Sequence, residues 1–305
     1  MNRSTIRIGT RGSPLALVQA RMVQSLLQDA QPDLETEIVI IKTTGDMVRD
    51  RPLAEIGGKG LFTKELDAAL LAGDISCAVH SMKDMETALA QGIAVGAVLP
   101  REDPRDAFLS PVAESIDDLP EGAVVGTTSL RRQAQILGRR ADLSVVTFRG
   151  NVDTRLKKLE AGDVQATMLA MAGLNRLGRD DTGAVPLEPE EMLPAAAQGA
   201  VAVTVKSGDD AMAETVAVLD DDVTNTCVTA ERAFLAVLDG TCKTPIAALA
   251  RPDGEDRIRL RGLVATPDGK TMRDGSRTGD AREIADAARA LGAELKAAMG
   301  DDMPR

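Results

Sequence analysis

Short apolar runs alternate with amphipathic segments along this chain, and this alternation constrains its fold more than any other feature. Helical patterns separate runs that have the length and composition of buried strands. Strands that alternate with helices are typical of α/β layers with mainly parallel sheets. The strand-like runs are 5–10, 37–43, 75–80, 92–99, 123–127, 144–150, 166–173 and 199–205, and the helical patterns lie at about 14–29, 61–72, 130–138, 152–161 and 228–238.

An approximate repeat indicates that two parts of the chain share one design. Residues 6–15 and 123–130 both contain a strand, a Gly-Thr pair and a polar helix start. Residues 58–84 and 150–176 both contain a glycine, an amphipathic helix, Ala-Gly-Asp, a strand and a polar turn. Such repetition predicts two similar sheet domains, which we expect to face each other across a cleft. Ligands of open α/β sheets bind at the carboxyl ends of strands, so the cleft is the predicted site.

The last part of the chain has a different pattern. Strands at 258–265 and about 270–278 flank a Pro-Asp-Gly turn, and a helix follows at about 281–298, which predicts a small α+β domain with an antiparallel sheet. Polar segments that contain proline, at 101–108 and 192–200, have the character of crossovers. The predicted division is domain 1, residues 1–99 and 200–220; domain 2, residues 100–199; and domain 3, residues 221–305.

The composition excludes several classes of protein. No stretch reaches the roughly 18 uncharged apolar residues of a membrane span, and the N-terminus lacks the apolar core of a secretory signal. Three cysteines, an odd number, argue against a disulfide framework and fit a reducing cytoplasm. The net charge of −11 disfavours nucleic acids and anionic membranes as partners, because both are polyanions. We therefore predict a cytoplasmic protein that acts on small molecules.

Residues 121–160 are basic although the chain as a whole is acidic. This window holds eight basic and four acidic residues, a net charge of +4. A basic window in an acidic protein is in most cases a solvated face, and the alternative is a local site for a small anion. The positions of the basic residues relative to the predicted helices favour the second interpretation.

Two predicted helices begin with the features of an anion site. Ser13 is a suitable N-cap and follows Arg11, and the second half of the chain repeats this arrangement with two arginines in the first helical turn. Cations in a first turn oppose the helix dipole, whereas free N–H groups there bind anions, so this placement favours a function. The alternative is only a well-made helix start. The residues of the second site are Thr127, Ser129, Arg131 and Arg132.

Basic residues also follow other predicted strands. Arg149 and Arg155 flank a glycine and a capping residue in the motif RGNVDTR. The planar guanidinium group donates paired hydrogen bonds to carboxylates, so several such arginines predict a ligand with several carboxylates. Lys59 lies in the glycine-rich segment 57–62, which lacks the spacing of phosphate-binding and dinucleotide-binding loops and is interpreted as a flexible loop that carries a cation.

The motif AVHSMKD, residues 78–84, leaves an apolar strand and ends in polar side chains. Asp84 and Lys83 form either an ordinary surface pair or a site in which the carboxylate stabilises a cationic intermediate and moves protons. His80 is the only histidine, and a lone histidine at a strand end is in most cases structural. No metal site is predicted, because no Cys and His residues have ligand spacing.

The cysteines have different settings. Cys77 lies in an apolar strand and Cys227 at a helix start, and both are predicted to be inert. Cys242 lies in a loop between Gly240 and Pro245, beside a lysine, which makes it the cysteine most suited to be an exposed nucleophile. From the residues alone, a functional and a merely structural Cys242 remain equally open.

Taken together, the motifs identify a family. They occur in the same order in hydroxymethylbilane synthases, also called porphobilinogen deaminases, and the chain resembles this family from about residue 6 to 300, most strongly before residue 246. The motifs are TRGSPLAL, GGKGLFTKEL, AVHSMKD, REDPRDAF, GTTSLRRQAQ, RGNVDTRL, LAMAGLNRLG, PAAAQGA, TAERAFL and GTCKTPI.

This resemblance implies a fold and an activity. Two α/β domains like type II periplasmic binding proteins are expected, followed by a small α+β domain. The implied enzyme is a transferase of tetrapyrrole biosynthesis. It joins four molecules of porphobilinogen head to tail, with loss of ammonia, onto a covalently bound dipyrromethane primer, and releases the linear product by hydrolysis. A monomer without nucleic-acid or membrane partners is expected.

The resemblance also implies roles for single residues. Cys242 is expected to hold the dipyrromethane cofactor through a thioether, and Asp84 to contact pyrrole nitrogens and stabilise the azafulvene cation formed when ammonia leaves. Lys59 is expected on a mobile loop, and Arg176 and Gln198 along the cleft. The residues expected to bind acetate and propionate groups are Arg11, Ser13, Lys83, Thr127, Ser129, Arg131, Arg132, Arg149 and Arg155.

The sequence departs from the family beside Asp84. The family has a hydrophobic residue and then a proline at this point, whereas here Met85 is followed by Glu86. We predict that the missing proline loosens the turn and that the Glu86 carboxylate alters the pH–rate profile. Thr241 stands where many members have glycine or serine. Two alternatives stay open: a binding protein without chemistry, and a family member disabled by Glu86.

Overall fold

The computed structural model describes residues 5–47, 60–240 and 244–304. The chain divides into two compact units, the first made of the residues up to Glu102 with Ala200–Asn225, and the second of Asp103–Gly199 with the residues from Thr226 onward. Within the described ranges, no helix is long and apolar enough to cross a membrane.

The helices and strands alternate along the chain as the apolar pattern predicts. In chain order they are β1 (Ile6–Arg11), α1 (Pro14–Ala30), β2 (Thr36–Ile41), α2 (Thr44–Met47), α3 (Lys64–Ala72), β3 (Cys77–Ser81), β4 (Ile93–Val98), β5 (Asp106–Leu109), β6 (Val124–Gly126), α4 (Leu130–Arg139), β7 (Ser144–Val146), α5 (Val152–Glu160), β8 (Ala166–Ala170), α6 (Met171–Arg176), β9 (Val185–Pro186), β10 (Val201–Lys206), α7 (Asp210–Ala217), α8 (Asp222–Val237), β11 (Ile246–Pro252), β12 (Arg257–Ala265), β13 (Met272–Asp280) and α9 (Ile284–Met299).

The sheet of the first unit has five strands in the order β2-β1-β3-β10-β4. Strands β1, β2 and β3 are parallel, and β10 runs antiparallel to both of its neighbours. Apolar side chains of α1 and α7 pack on this sheet, with Val23, Leu27 and Val216 fully buried. The strand that enters the sheet from the distant segment 201–206 thus lies between two strands of the N-terminal segment.

The five-stranded sheet of the second unit repeats this arrangement, in the order β7-β6-β8-β5-β9. Strands β6, β7 and β8 are parallel, and β5 is antiparallel to β8 and β9. In each sheet the three parallel strands lie in the order second, first, third. The third strand then pairs with an antiparallel strand that is distant from it in sequence, β10 in the first unit and β5 in the second. The predicted architecture of two similar periplasmic-binding-protein-like α/β sheets is confirmed.

A third sheet contains the antiparallel strands β11-β12-β13. The predicted turn between β12 and β13 is present: Thr266 N–H donates to the carbonyl of Thr271 at 2.8 Å, and Gly269 has φ +69°. Helices α8 and α9 supply the apolar cluster around Phe234. The predicted small α+β element is confirmed. It belongs to the same compact unit as residues 103–199, and the division into three domains stays a prediction.

Two segments differ from the expectation. Residues 101–108 were expected to form a polar crossover or hinge, and the chain does pass from the first unit to the second between Glu102 and Asp103. The end of this segment differs, because Asp106–Leu109 is a buried strand that lies between β8 and β9. The apolar run 166–173 was expected to be one strand, but β8 ends at Ala170 and α6 begins at Met171. A short apolar run fits a strand and a helix equally well, so its length alone does not mark this boundary.

The predicted helix starts are confirmed by capping hydrogen bonds. The Ser13 hydroxyl accepts the N–H of Ala16 at 3.3 Å, and the Ser129 hydroxyl accepts the N–H of Arg132 at 3.4 Å. The side-chain Oδ1 of Asn151 accepts the N–H of Thr154 at 2.9 Å at the start of α5. Each cap satisfies one of the N–H groups that the first helical turn leaves without a partner.

Phe234→Ala tests the core of the third sheet. Phe234 is fully buried, and a Cβ at Gly262 on β12 would overlap its ring. We expect the truncation to lower the free energy of unfolding by about 3–5 kcal/mol, because it removes buried apolar area and leaves a cavity. Val112→Ala, at a side chain that is 54% exposed, is the control and should change it by about 0.5 kcal/mol or less. Equal effects of the two variants in urea denaturation would contradict this packing.

Candidate active site

Asp84 lies where the buried strand β3 ends. A 3-10 turn, Met82–Asp84, follows the strand directly, and the Met82 N–H donates to the carbonyl of Ala200 at 3.0 Å. Met82 and Met85 are buried on either side, whereas Asp84 is half-buried. Within the described ranges, no side chain or N–H group pairs with the Asp84 carboxylate. The turn therefore holds this carboxylate at the end of a rigid strand with its oxygens available.

Glu86 has a definite structural partner. Its carboxylate accepts the backbone N–H of Gly60 at 2.6 Å. Gly60 begins the described segment that leads into α3, so Glu86 links the turn after Asp84 to this segment. Lys59 precedes Gly60 and lies outside the described residues. The expected loosening of the turn and the expected effect of Glu86 on the pH–rate profile stay predictions.

Arg11 is paired at the end of β1. Its Nε and Nη2 atoms donate to the two carboxylate oxygens of Asp46, at 3.0 and 2.5 Å, and its guanidinium group stacks 4.1 Å from the centre of the Phe62 ring. The Thr43 hydroxyl also donates to Asp46, at 2.7 Å. The nearby Ser13 hydroxyl caps α1. Binding of a ligand by Arg11 and Ser13 stays a prediction.

His80 and Cys77 belong to the core of the first sheet, as predicted. Their side chains are 6% and 0% exposed, and His80 Nε2 is 3.1 Å from the Thr204 hydroxyl. Burial, assisted by the positive charge of Arg11, lowers the pKa of His80 to about 4, and burial raises the pKa of the Cys77 thiol to about 12. Neither group is charged at neutral pH, which fits a structural role for both.

The two arginines in the first turn of α4 share one buried carboxylate. Arg131 Nη1 donates to Asp106 Oδ2 at 2.6 Å, and Arg132 Nη2 donates to Asp106 Oδ1 at 2.7 Å. All three side chains are almost fully enclosed, with Asp106 0% exposed. Burial by itself raises the pKa of Asp106, but the adjacent guanidinium groups outweigh it and hold that pKa well below the ordinary range of an aspartate.

Backbone carbonyls complete the surroundings of this cluster. Arg132 Nη1 donates to the carbonyl of Met168 at 2.7 Å, and Arg131 Nη1 to that of Leu193 at 2.8 Å. Gln135 accepts the N–H of Leu193 at 2.8 Å and so fixes the segment that supplies this carbonyl. Arg131 Nε is buried without a hydrogen-bond partner in the described part of the chain. The structure thus brings Arg131 and Arg132 together, but the carboxylate that they share belongs to Asp106 of the protein itself.

Gln198 joins the same cluster. Its side-chain amide donates to Asp106 Oδ1 at 3.0 Å and to the carbonyl of Pro104 at 2.8 Å. The preceding residue, Ala197, has φ +59°, and its N–H donates to the buried carboxylate of Glu231 at 2.5 Å. Glu231 also accepts the N–H of Ala250 on β11 at 2.7 Å. The segment that carries Gln198 is therefore held between α8 and the Asp106 cluster.

The other predicted ligands have separate positions in the second unit. Thr127 is buried and its hydroxyl accepts the N–H of Ser129 at 3.1 Å. Arg155 Nε donates to the carbonyl of Gly150 at 2.9 Å, and Arg176 Nη2 to that of Gly199 at 2.7 Å. Arg149, like Lys83 in the first unit, is half-buried. Binding of a ligand by these residues stays a prediction.

Two buried acids were missed by the sequence reasoning. Asp106 was included in a polar crossover, and Glu231 lies within TAERAFL, which was used only as a family motif. For Asp106, the apolar run Ala-Phe-Leu directly after it was the signal of a strand start. For Glu231, the signal was a single acid among apolar residues of an amphipathic helix.

Cys242 lies outside the described residues, whereas the two cysteines within them, Cys77 and Cys227, are buried. Cys227 is 3% exposed in the apolar cluster of α8, as expected for an inert thiol.

Comparison with known proteins decides the family. A family model described as "Porphobilinogen deaminase, dipyromethane cofactor binding domain" matches residues 6–214, and one described as "Porphobilinogen deaminase, C-terminal domain" matches residues 225–301. The chain belongs to the porphobilinogen deaminase family. The predicted activity is therefore confirmed: the protein is a transferase with hydroxymethylbilane synthase activity, and it uses a dipyrromethane cofactor.

Several members of the family are similar to this chain over most of their length. The chloroplastic porphobilinogen deaminase of Oryza sativa subsp. japonica is 54% identical over 97% of this chain and 85% of its own. The enzyme of Nitrobacter hamburgensis is 53% identical over 93% of this chain and 92% of its own, and that of Paracoccus denitrificans is 53% identical over 96% and 94%.

Among solved structures, a putative methionine-binding lipoprotein from Bacillus subtilis is similar at 10% identity, with a TM-score of 0.45 over 72% of this chain and 92% of that one. The fold is established by the strand order and not by this distant similarity.

The titration of His80 tests the packing beneath Asp84. Because this is the only histidine, its imidazole NMR signals are unambiguous. We expect a midpoint near pH 4, because burial disfavours the charged ring. The folded-state pKa lies below the unfolded value of about 6.5, so stability should fall as pH decreases from about 6.5 towards 4. His80→Gln should flatten that part of the stability curve. An NMR midpoint near 6.5 would show that the ring is hydrated.

Proposed function

We propose that this member of the family carries out chain extension with Asp84 as its catalytic carboxylate and Cys242 as the attachment point of the dipyrromethane. Asp84 is held at the end of a buried strand, and no partner among the described residues occupies its oxygens. This available carboxylate is the observation that carries the assignment. A negative charge fixed at that point stabilises the azafulvene cation that forms when ammonia leaves porphobilinogen.

Asp84 is also suited to bind pyrrole nitrogens. A carboxylate accepts hydrogen bonds from N–H donors, and two pyrrole N–H groups can share its two oxygens. After the new carbon–carbon bond has formed, the same group can accept the proton whose loss restores the aromatic pyrrole ring. Lys83, directly before Asp84 and half-buried, is proposed to bind an acidic substituent of the substrate.

Cys242 is the cysteine best suited to hold the cofactor. Cys77 is buried in β3 with its thiol pKa raised to about 12, and Cys227 is buried in α8. A thiol in either setting is poorly ionised or inaccessible, and thiolates are the reactive form. The dipyrromethane supplies, when bound, the carbon nucleophile to which the first substrate unit is joined. A covalent anchor keeps the growing chain on the enzyme between additions.

The basic groups of the second unit fit a ligand with many carboxylates. The start of α4 places Ser129, Arg131 and Arg132 together, and the Asp106 cluster at this helix end contains more guanidinium than carboxylate groups. Each pyrrole carries an acetate and a propionate group, so the cofactor and its additions need several cations. The residues proposed to bind these groups are Arg11, Ser13, Lys59, Lys83, Thr127, Ser129, Arg131, Arg132, Arg149, Arg155, Arg176 and Gln198.

We further propose that the enzyme acts in the cytoplasm as a monomer, without nucleic-acid or membrane partners. The net charge of −11 supports this, because it repels both kinds of polyanion. The odd number of cysteines is consistent with a reducing compartment.

The intact mass of the purified protein tests the attachment point. We expect wild type from cells that make porphobilinogen to carry the added mass of two linked pyrrole units, and Cys242→Ser to lack it. Cys227→Ser, which changes a buried thiol, is the matched control and should keep the added mass. Retention of that mass in Cys242→Ser would place the thioether elsewhere. An unmodified wild type would favour a binding protein or a disabled family member.

Asp84→Asn tests the catalytic carboxylate with almost no change of shape. We expect kcat to fall by about 10²- to 10⁴-fold, the usual contribution of a positioned acid or base, because the amide neither balances the cation nor accepts its proton. The rate is measured on protein that carries the cofactor mass. Asp74→Asn, at an exposed position of the same unit, is the control and should leave kcat unchanged. An Asp84→Asn enzyme with wild-type kcat would remove Asp84 from the mechanism.

A further inference from the structure

The cluster around Asp106 contains more positive than negative side chains. Two buried guanidinium groups, those of Arg131 and Arg132, surround one buried carboxylate, and among the described residues their other hydrogen-bond partners are backbone carbonyls. Gln198, the third side chain on Asp106, is neutral. The cluster therefore has a net charge of +1 in a region where all four side chains are less than 9% exposed.

Stability alone does not account for this excess of positive charge. A buried charge that is not balanced costs free energy, so two buried guanidinium groups beside one carboxylate are unfavourable for stability unless another anion is present. Apolar side chains of similar volume are often as stabilising in such a place as a buried ion pair. The Nε of Arg131, which is buried without a partner in the described ranges, adds a second unsatisfied group. The excess positive charge and the unpaired donor both point to an anion that completes the cluster.

We propose that Asp106 is a positioning residue for carboxylate recognition: it orients the guanidinium groups of Arg131 and Arg132 and cancels one of their two charges, which leaves one positive charge for a carboxylate of the bound pyrrole chain. This inference rests on the proposed function of the arginine pair. Asp106 acts through the arginines and does not touch the substrate.

The geometry supports a positioning role. Asp106 begins β5, and β5 pairs on both sides within the sheet, so its backbone has little freedom. Asp106 Oδ1 accepts Nε of Arg132 at 3.1 Å as well as its Nη2, which fixes the plane of that guanidinium group. The amide of Gln198 restrains the same oxygen at 3.0 Å. Since a displacement of about 1 Å can cost two orders of magnitude in rate, such fixed orientation matters for binding and chemistry.

The test is a double-mutant cycle measured on cofactor-bearing enzyme. We expect Asp106→Asn, which keeps the side-chain shape, to raise KM for porphobilinogen at least tenfold while kcat changes less than threefold. Arg131→Met should also raise KM. If Asp106 acts through the arginines, the KM of the double variant should resemble that of Arg131→Met and not the product of both effects. Asp142→Asn, which breaks the exposed pair with Arg140, is the matched control and should leave KM unchanged.

The outcomes separate this inference from the proposed function. An Arg131→Met enzyme with wild-type KM would refute substrate binding by that arginine, whatever Asp106 does. If Arg131→Met raises KM but Asp106→Asn does not, or if the two effects multiply, the positioning role is wrong. If Asp106→Asn does not fold, Asp106→Glu replaces it: the charge is kept but the carboxylate moves by about one bond length, so folding with a raised KM is expected. A folded Asp106→Glu enzyme with wild-type KM would overturn the inference.

Discussion

The buried carboxylate of Asp106 is the interaction on which the second unit depends. One side chain joins the first residue of β5, the first turn of α4 and, through Gln198, the segment that returns the chain to the first unit. In a medium of low polarity these charge-assisted hydrogen bonds are strong, and each is costly to lose. These contacts join the elements of this unit to one carboxylate and restrain the orientations of both arginines.

A second set of buried polar contacts, made by Glu231 on α8, joins other parts of the same unit. Glu231 accepts one N–H from the segment before Gln198 and one from β11, so the small antiparallel sheet and the crossover segment share an anchor. Ala197 is held in the left-handed region, φ +59°, where a residue with a Cβ is strained unless its surroundings fix it. Strand β11 is thus connected, through Glu231 and the segment of Ala197 and Gln198, to the cluster that contains the arginine pair.

Much of the fold could be predicted from local pattern. The alternation of apolar runs and amphipathic segments predicted both α/β sheets, and Ser13 and Ser129 marked their helix starts correctly because capping depends on adjacent residues. The strand β5 could not be predicted, because its first residue is an aspartate that is buried only through arginines 25 and 26 residues away. For the same reason the arginines were predicted as ligands without their internal partner. The roles proposed for Asp84 and Cys242 come from resemblance to a family, since neighbouring residues do not distinguish a catalytic carboxylate from a surface one.

The shared strand order of the two large sheets has a consequence for synthesis of the chain. The sheet of the first unit lacks β10, which separates β3 from β4, until residue 206 has been made. The sheet of the second unit is complete in sequence by Pro186. Of the two large sheets, the one that begins at the N-terminus is thus the second to have all of its strands. During translation, β1 to β4 are therefore made before the strand that completes their sheet, whereas the later sheet already has all of its strands. This order is the reverse of the usual one, in which N-terminal domains fold first.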